Sequence, residues 1–75
     1  MNKPQTNIAF AYAVGDKIQE RMIAGHIVEW RDSIVVSLAP YRGKPGYYTR
    51  WDPLPTDGSS QGGWTYEACM RRRGG

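Results

Sequence analysis

Apolar positions recur along most of this chain at every second residue. Ile8, Phe10, Tyr12 and Val14 alternate with Ala9, Ala11 and Ala13. That period suits an extended segment, although the alanines would also suit a helix. Gly15-Asp16 signals a turn. Ile18, Glu20 and Met22 alternate with their neighbours as a short strand, which Gly25 ends. Residues 26–30 and 33–38, rich in Ile, Val and Trp, predict two further strands. The polar pair Arg31-Asp32 between them predicts a tight reversal that pairs the two runs antiparallel.

Pro40 closes the second run, and residues 41–46 (YRGKPG) read as a loop. In residues 47–51, Tyr47, Thr49 and Trp51 share one face, with Tyr48 and Arg50 on the other. Trp51 is expected in the core and Arg50 in solvent, because burying a guanidinium costs far more than exposing it. Residues 52–63 (DPLPTDGSSQGG) form a long turn-rich loop, and residues 64–70 run through a turn into a last strand. Short strands, close turn signals and no long helix predict an all-β protein, a single small five-stranded barrel. The expected organisation is an N-terminal arm over residues 1–7, a barrel over 8–70 and a basic Arg/Gly tail over 71–75.

Size restricts how such a domain is held together. A chain of 75 residues buries only about 60% of its unfolded surface. Cys69 is the lone cysteine and His26 the lone histidine, so neither an intrachain disulfide nor a zinc cluster reinforces the core. Oligomerisation is the reinforcement left open. No apolar run approaches the ~20 residues of a membrane span, and the first six residues form no apolar signal segment. With a free thiol, these features predict a cytoplasmic protein with no membrane partner.

The formal net charge of +3 is concentrated at one end. Without Arg71, Arg72 and Arg73, the ten basic residues fall to seven, equal to the seven acids. A protein built around a phosphate backbone usually shows a stronger bias. A solvated tail is the simpler reading of that arginine run. Locally the balance differs: residues 33–51 carry Arg42, Lys44 and Arg50 and no acid.

The order of these pieces resembles the SH3-like small barrels found in bacterial and phage accessory proteins. The likeness rests on Gly15-Asp16-Lys17-Ile18, on Gly25-His26-Ile27-Val28-Glu29-Trp30, on the segment from Tyr47 through Arg50-Trp51-Asp52, and on a closing aromatic segment at 64–70. It covers about residues 12–71 and bears on architecture more than on function. Plasmid-encoded type B dihydrofolate reductases, tetramers of such a barrel, look similar over residues 15–18 and 25–30. That family lines its active pore with a Val-Gln-Ile-Tyr segment. Here Trp64-Thr65-Tyr66 stands in its place with no glutamine before the tyrosine, so the activity is not carried over.

Catalytic apparatus is not evident. General acid–base work needs titratable groups whose environments pull their pKa values apart, and the acids here are dispersed among turns and strands. Asp16 and Asp52 suit turn formation. The glycines around Ser59, Ser60 and Gln61 lack the lysine and helix of a phosphate loop. The sequence therefore predicts no enzyme, no catalytic residue and no cofactor. Aromatic residues are numerous, and Tyr41 and Tyr48 lie beside Arg42, Lys44 and Arg50. Bases stack on aromatic rings while cations track phosphates. This segment, helped by Arg71, Arg72 and Arg73, is the candidate binding surface, with single-stranded nucleic acid favoured. Tyr and Arg also dominate protein interfaces, so a module that docks on a host protein is the alternative.

Overall fold

The computed structural model describes residues 8–74; the expected arm over 1–7 lies outside the described residues. The protein is all-β. Strands β1 (Lys17–Ala24), β2 (Ile27–Tyr41), β3 (Lys44–Trp51), β4 (Gly62–Tyr66) and β5 (Met70–Arg72) form one antiparallel sheet in the order β4-β3-β2-β1-β5. A 3-10 turn, Glu67–Cys69, joins the two edge strands β4 and β5. The described residues include no helix long and apolar enough to cross a membrane.

The reversal expected at Arg31-Asp32 does not occur there. β2 runs straight through both residues, which stand opposite Glu20 and Gln19 of β1. The strand tolerates the polar pair because both side chains are partnered. Arg31 lies over the Trp51 ring, 4.4 Å from its centroid, and Asp32 accepts a hydrogen bond from Gln19 Nε2 at 2.9 Å. The chain turns instead at Gly25-His26, so that β1 and β2 form the hairpin.

Pro40 does not stop β2, nor do residues 41–46 form an open loop. Pro40 pairs with Pro45 and Tyr41 with Lys44, leaving only Arg42-Gly43 as the turn. Both turn residues have positive φ (51° and 76°), the geometry that matches strand twist in a two-residue hairpin. Flanking such a turn, Tyr41 and Lys44 exchange the ladder bonds and the next pair does not. The nitrogens of Pro40 and Pro45 therefore point away from each other, where no bond is missing.

The inner face of the sheet carries the core: Ile18, Val35, Tyr47, Trp51 and Met70 are buried, with Leu38 packed against them. The alternation expected over 47–51 holds, with Tyr47, Thr49 and Trp51 buried and Tyr48 and Arg50 exposed. The core also encloses Glu20, whose carboxylate accepts hydrogen bonds from Ser33 Oγ (2.7 Å) and Thr49 Oγ1 (2.6 Å). Residues 8–16 form no strand, but they cover one end of this core. Phe10 and Tyr12 meet Tyr47 edge-on, at ring-centroid distances of 5.6 and 5.7 Å. The Ala11 N–H donates to both the Tyr47 hydroxyl (2.9 Å) and Glu67 Oε1 (2.8 Å).

A bulge at Val36 shifts the β2–β3 register between Val35 and Ser37. Before it, Ser33 and Val35 face inward; after it, Leu38 does. The extra residue turns Ser37, Ala39 and Tyr41 to the outer face.

Arg71, Arg72 and Arg73 are part of the folded unit instead of a solvated tail. Arg71 and Arg72 pair with Gln19 and Ile18 of β1. Arg73 donates to Asp52 Oδ2 and to the Ser33 carbonyl, both at 2.8 Å. These groups hold the guanidiniums because β5 supplies an edge to β1 that would otherwise be unpaired.

Candidate functional site

The outer face of β2, β3 and β4 gathers what the linear sequence separates. On β3 the outward positions are Lys44, Gly46, Tyr48 and Arg50. The register sets Tyr41 opposite Lys44 on β2, and on β4 it sets Trp64 opposite Tyr48 and Tyr66 opposite Gly46. Four rings are left in solvent: Trp64 (60% exposed), Tyr41 (50%), Tyr48 (40%) and Tyr66 (39%). They associate in pairs across strands. Tyr48 and Trp64 meet edge-to-face at 5.3 Å, and Tyr41 and Tyr66 are tilted at 6.0 Å.

Gly46 shapes the surface between these pairs. A Cβ there would stand 2.8 Å from the Ala39 carbonyl oxygen and within 4 Å of Tyr41 Cβ and Trp64 Cε3. Lacking a side chain, Gly46 leaves an open groove of about 480 Å³ with Ala39, Pro40 and Gly46 as floor and Tyr41, Trp64 and Tyr66 as walls. A second groove of about 420 Å³ continues past Tyr41 and Tyr66, bounded by Arg42, Lys44 and Glu67.

Charge on this face is one-sided at the hairpin. Among the described residues, Arg42, Lys44 and Arg50 form no ion pair; the ion pairs present belong to Arg72 and Arg73. The Arg42 guanidinium lies 5.3 Å from the Tyr41 ring centroid. Glu67 is the acid nearest the second groove, and its carboxylate is engaged by the Tyr47 hydroxyl and the Ala11 N–H. Burial, together with the Glu67 carboxylate, pushes the Tyr47 phenol above its ordinary value.

Of the residues expected in the binding surface, Tyr41, Arg42, Lys44, Tyr48 and Arg50 are brought together here. Arg71, Arg72 and Arg73 are not. They sit at β5, separated from β3 by β1 and β2 in the sheet order. Arg71 stacks on Trp30 at 4.0 Å and donates to Gln19, and Arg72 lies near Tyr12 and Asp16. Trp64 and Tyr66 are the members of the site that sequence reasoning did not place. Their alternation around Thr65 was readable, but their pairing with β3 spans the loop over residues 52–61.

No three His, Cys, Asp or Glu side chains among the described residues lie together as metal ligands would. Compared with protein-family models, characterised proteins and solved structures, the chain matches none.

Proposed function

We propose that this protein is a non-enzymatic binding module on an SH3-like barrel scaffold, and that the outer face of β2–β3–β4 binds single-stranded nucleic acid. The observation that carries this reading is the coincidence of four solvent-exposed rings and three unpaired cations on one face. Stacked rings supply sequence-tolerant contact with bases, and cations supply attraction to phosphates. Arg42 adds weight. A non-glycine residue in the left-handed region costs about 1–2 kcal/mol, and here that residue presents a cation beside an exposed tyrosine. Titrating binding of single-stranded and duplex oligonucleotides against salt tests the reading. Preferential single-strand binding that weakens with salt supports it, and no binding at low salt refutes it.

A protein ligand is the second reading, favoured by the free edge of β4. Trp51 N–H donates to the Gln61 carbonyl at 2.8 Å. By ladder alternation, the backbone groups of Gly63 and Thr65 then face β3, while those of Trp64 and Tyr66 face outward. An extended peptide added there would pair with these outward groups through main-chain hydrogen bonds.

A further inference from the structure

We infer that the groove over Gly46 is a slot for one unpaired nucleobase, held between the Trp64 ring and the Tyr41–Tyr66 pair. This rests on the single-strand reading above and assigns it a specific seat. Three observations define the slot. Trp64 and Tyr66 are same-face neighbours on β4, one on each side of Thr65. Such positions stand about 6.6 Å apart along a strand, close to twice the ~3.4 Å separation of stacked bases. That spacing leaves room for one flat ring between the two positions. Across the ladder, Tyr48 packs against Trp64, whereas Gly46 sets no side chain opposite Tyr66 and leaves a groove bordered there by Tyr41 and Trp64.

The floor is apolar and shallow. Ala39, Pro40 and Gly46 present little beyond backbone and methylene groups. They suit the face or edge of a base and offer no charged group that would repel it. Lys44 and Arg42 lie at the hairpin end of the slot and Arg50 beyond Tyr48, so cations flank it along β3 on both sides. A strand running along β3 would keep its phosphates near these cations while one base turns inward. Duplex DNA, whose bases are already stacked and paired, has no ring to insert. The slot touches the base and not the sugar, so DNA and RNA strands should bind alike.

The experiment compares three probes of equal length: oligothymidylate, its uridylate counterpart and a strand of abasic residues carrying the same phosphates. The parent protein should bind both base-bearing strands at least fivefold more tightly than the abasic strand, with matching salt slopes. Trp fluorescence should be quenched by the base-bearing strands alone. Ala39→Leu fills the floor while keeping every ring and cation. It should bring affinity for the base-bearing strands down to the abasic level, by roughly 5- to 100-fold for one lost stacked base. Trp64→Ala should do the same, and circular dichroism checks that both variants remain folded. If Ala39→Leu and Trp64→Ala keep the full preference for base-bearing strands, the slot is wrong although the single-strand reading stands. If the parent binds the abasic strand as tightly as the base-bearing strands, the slot is wrong. If no strand binds at low salt, the reading itself falls.

Discussion

The Arg73 guanidinium reaches back across the sheet to Asp52, its Nη1 donating to Oδ2 at 2.8 Å, and so ties the last strand to the residue that follows β3. The same side chain donates to the Ser33 carbonyl and lies 3.8 Å from Asp32. Arg73→Ala should destabilise the domain by about 2 kcal/mol, since hydrogen bonds to charged groups contribute roughly 1.5–3 kcal/mol. Removing residues 71–75 should do far more, because two of the three residues of β5, with their pairing to Ile18 and Gln19, go with them. Urea denaturation of the two variants measures the difference, and a truncated protein as stable as the parent would exclude a structural role for this strand.

Trp51 should behave as a core residue. It is buried against the Arg31 stack, and truncation of a well-buried Trp costs about 3–5 kcal/mol. Trp51→Ala is expected to unfold much of the population at 25 °C, whereas Tyr48→Ala, on the opposite and exposed face of β3, should leave the thermal midpoint within a few degrees of the parent. Melting curves of the pair read the inner and outer faces of β3 directly.

Arg42 offers a separation of stability from binding. Asn tolerates the left-handed conformation that Arg42 adopts at φ 51°. Arg42→Asn should therefore stabilise the hairpin by about 0.5–1 kcal/mol while lowering oligonucleotide affinity. Each of Arg42, Lys44 and Arg50 that contacts a phosphate should flatten the log–log salt dependence by about 0.7 when changed to Ala. Tyr41→Ala or Tyr48→Ala should cost about 1–3 kcal/mol of binding and leave that slope unchanged.

Alkaline pH should loosen the domain through Tyr47. Its phenol is held above the ordinary value of 10.0 by burial and by Glu67. The folded state thus keeps the proton longer than the unfolded chain does. Stability from this group is complete below about pH 10 and falls as pH rises from there toward the folded pKa. Absorbance at the tyrosinate band should show one tyrosine ionising late, together with unfolding. Tyr47→Phe should remove that late step.

The strand alternation over 47–51 was legible because both packing and solvation enforce it locally: Tyr47 and Trp51 must be buried and Arg50 must not. The hairpin assignment failed where that local rule is silent. Arg31-Asp32 looks like a break, yet Trp51 and Gln19, distant in sequence, satisfy both side chains inside a strand. Gly25 carried the true turn signal at a place read only as a strand end. Pro40 misled for a related reason, since the cost of its missing N–H depends on which side of the ladder it faces. The arginines at 71–73 looked like tail because nothing nearby in the sequence announces Trp30, Asp52 or the Ser33 carbonyl as their partners.

The bulge at Val36 makes the length of β2 a shared constraint. Deleting this one residue would give the strand an unbroken register and rotate everything beyond it by half a turn. Leu38 would leave the interior and Tyr41 would enter it, so hydrophobic packing and the ligand-facing surface would be lost in the same step. Residues 54–60 carry no such coupling, because the pairing of β3 with β4 resumes at the Trp51–Gln61 hydrogen bond whatever path they take. Insertions and deletions should accordingly be absorbed in that loop and rejected in β2, so that the chain's tolerance to length change reports where its two faces are set.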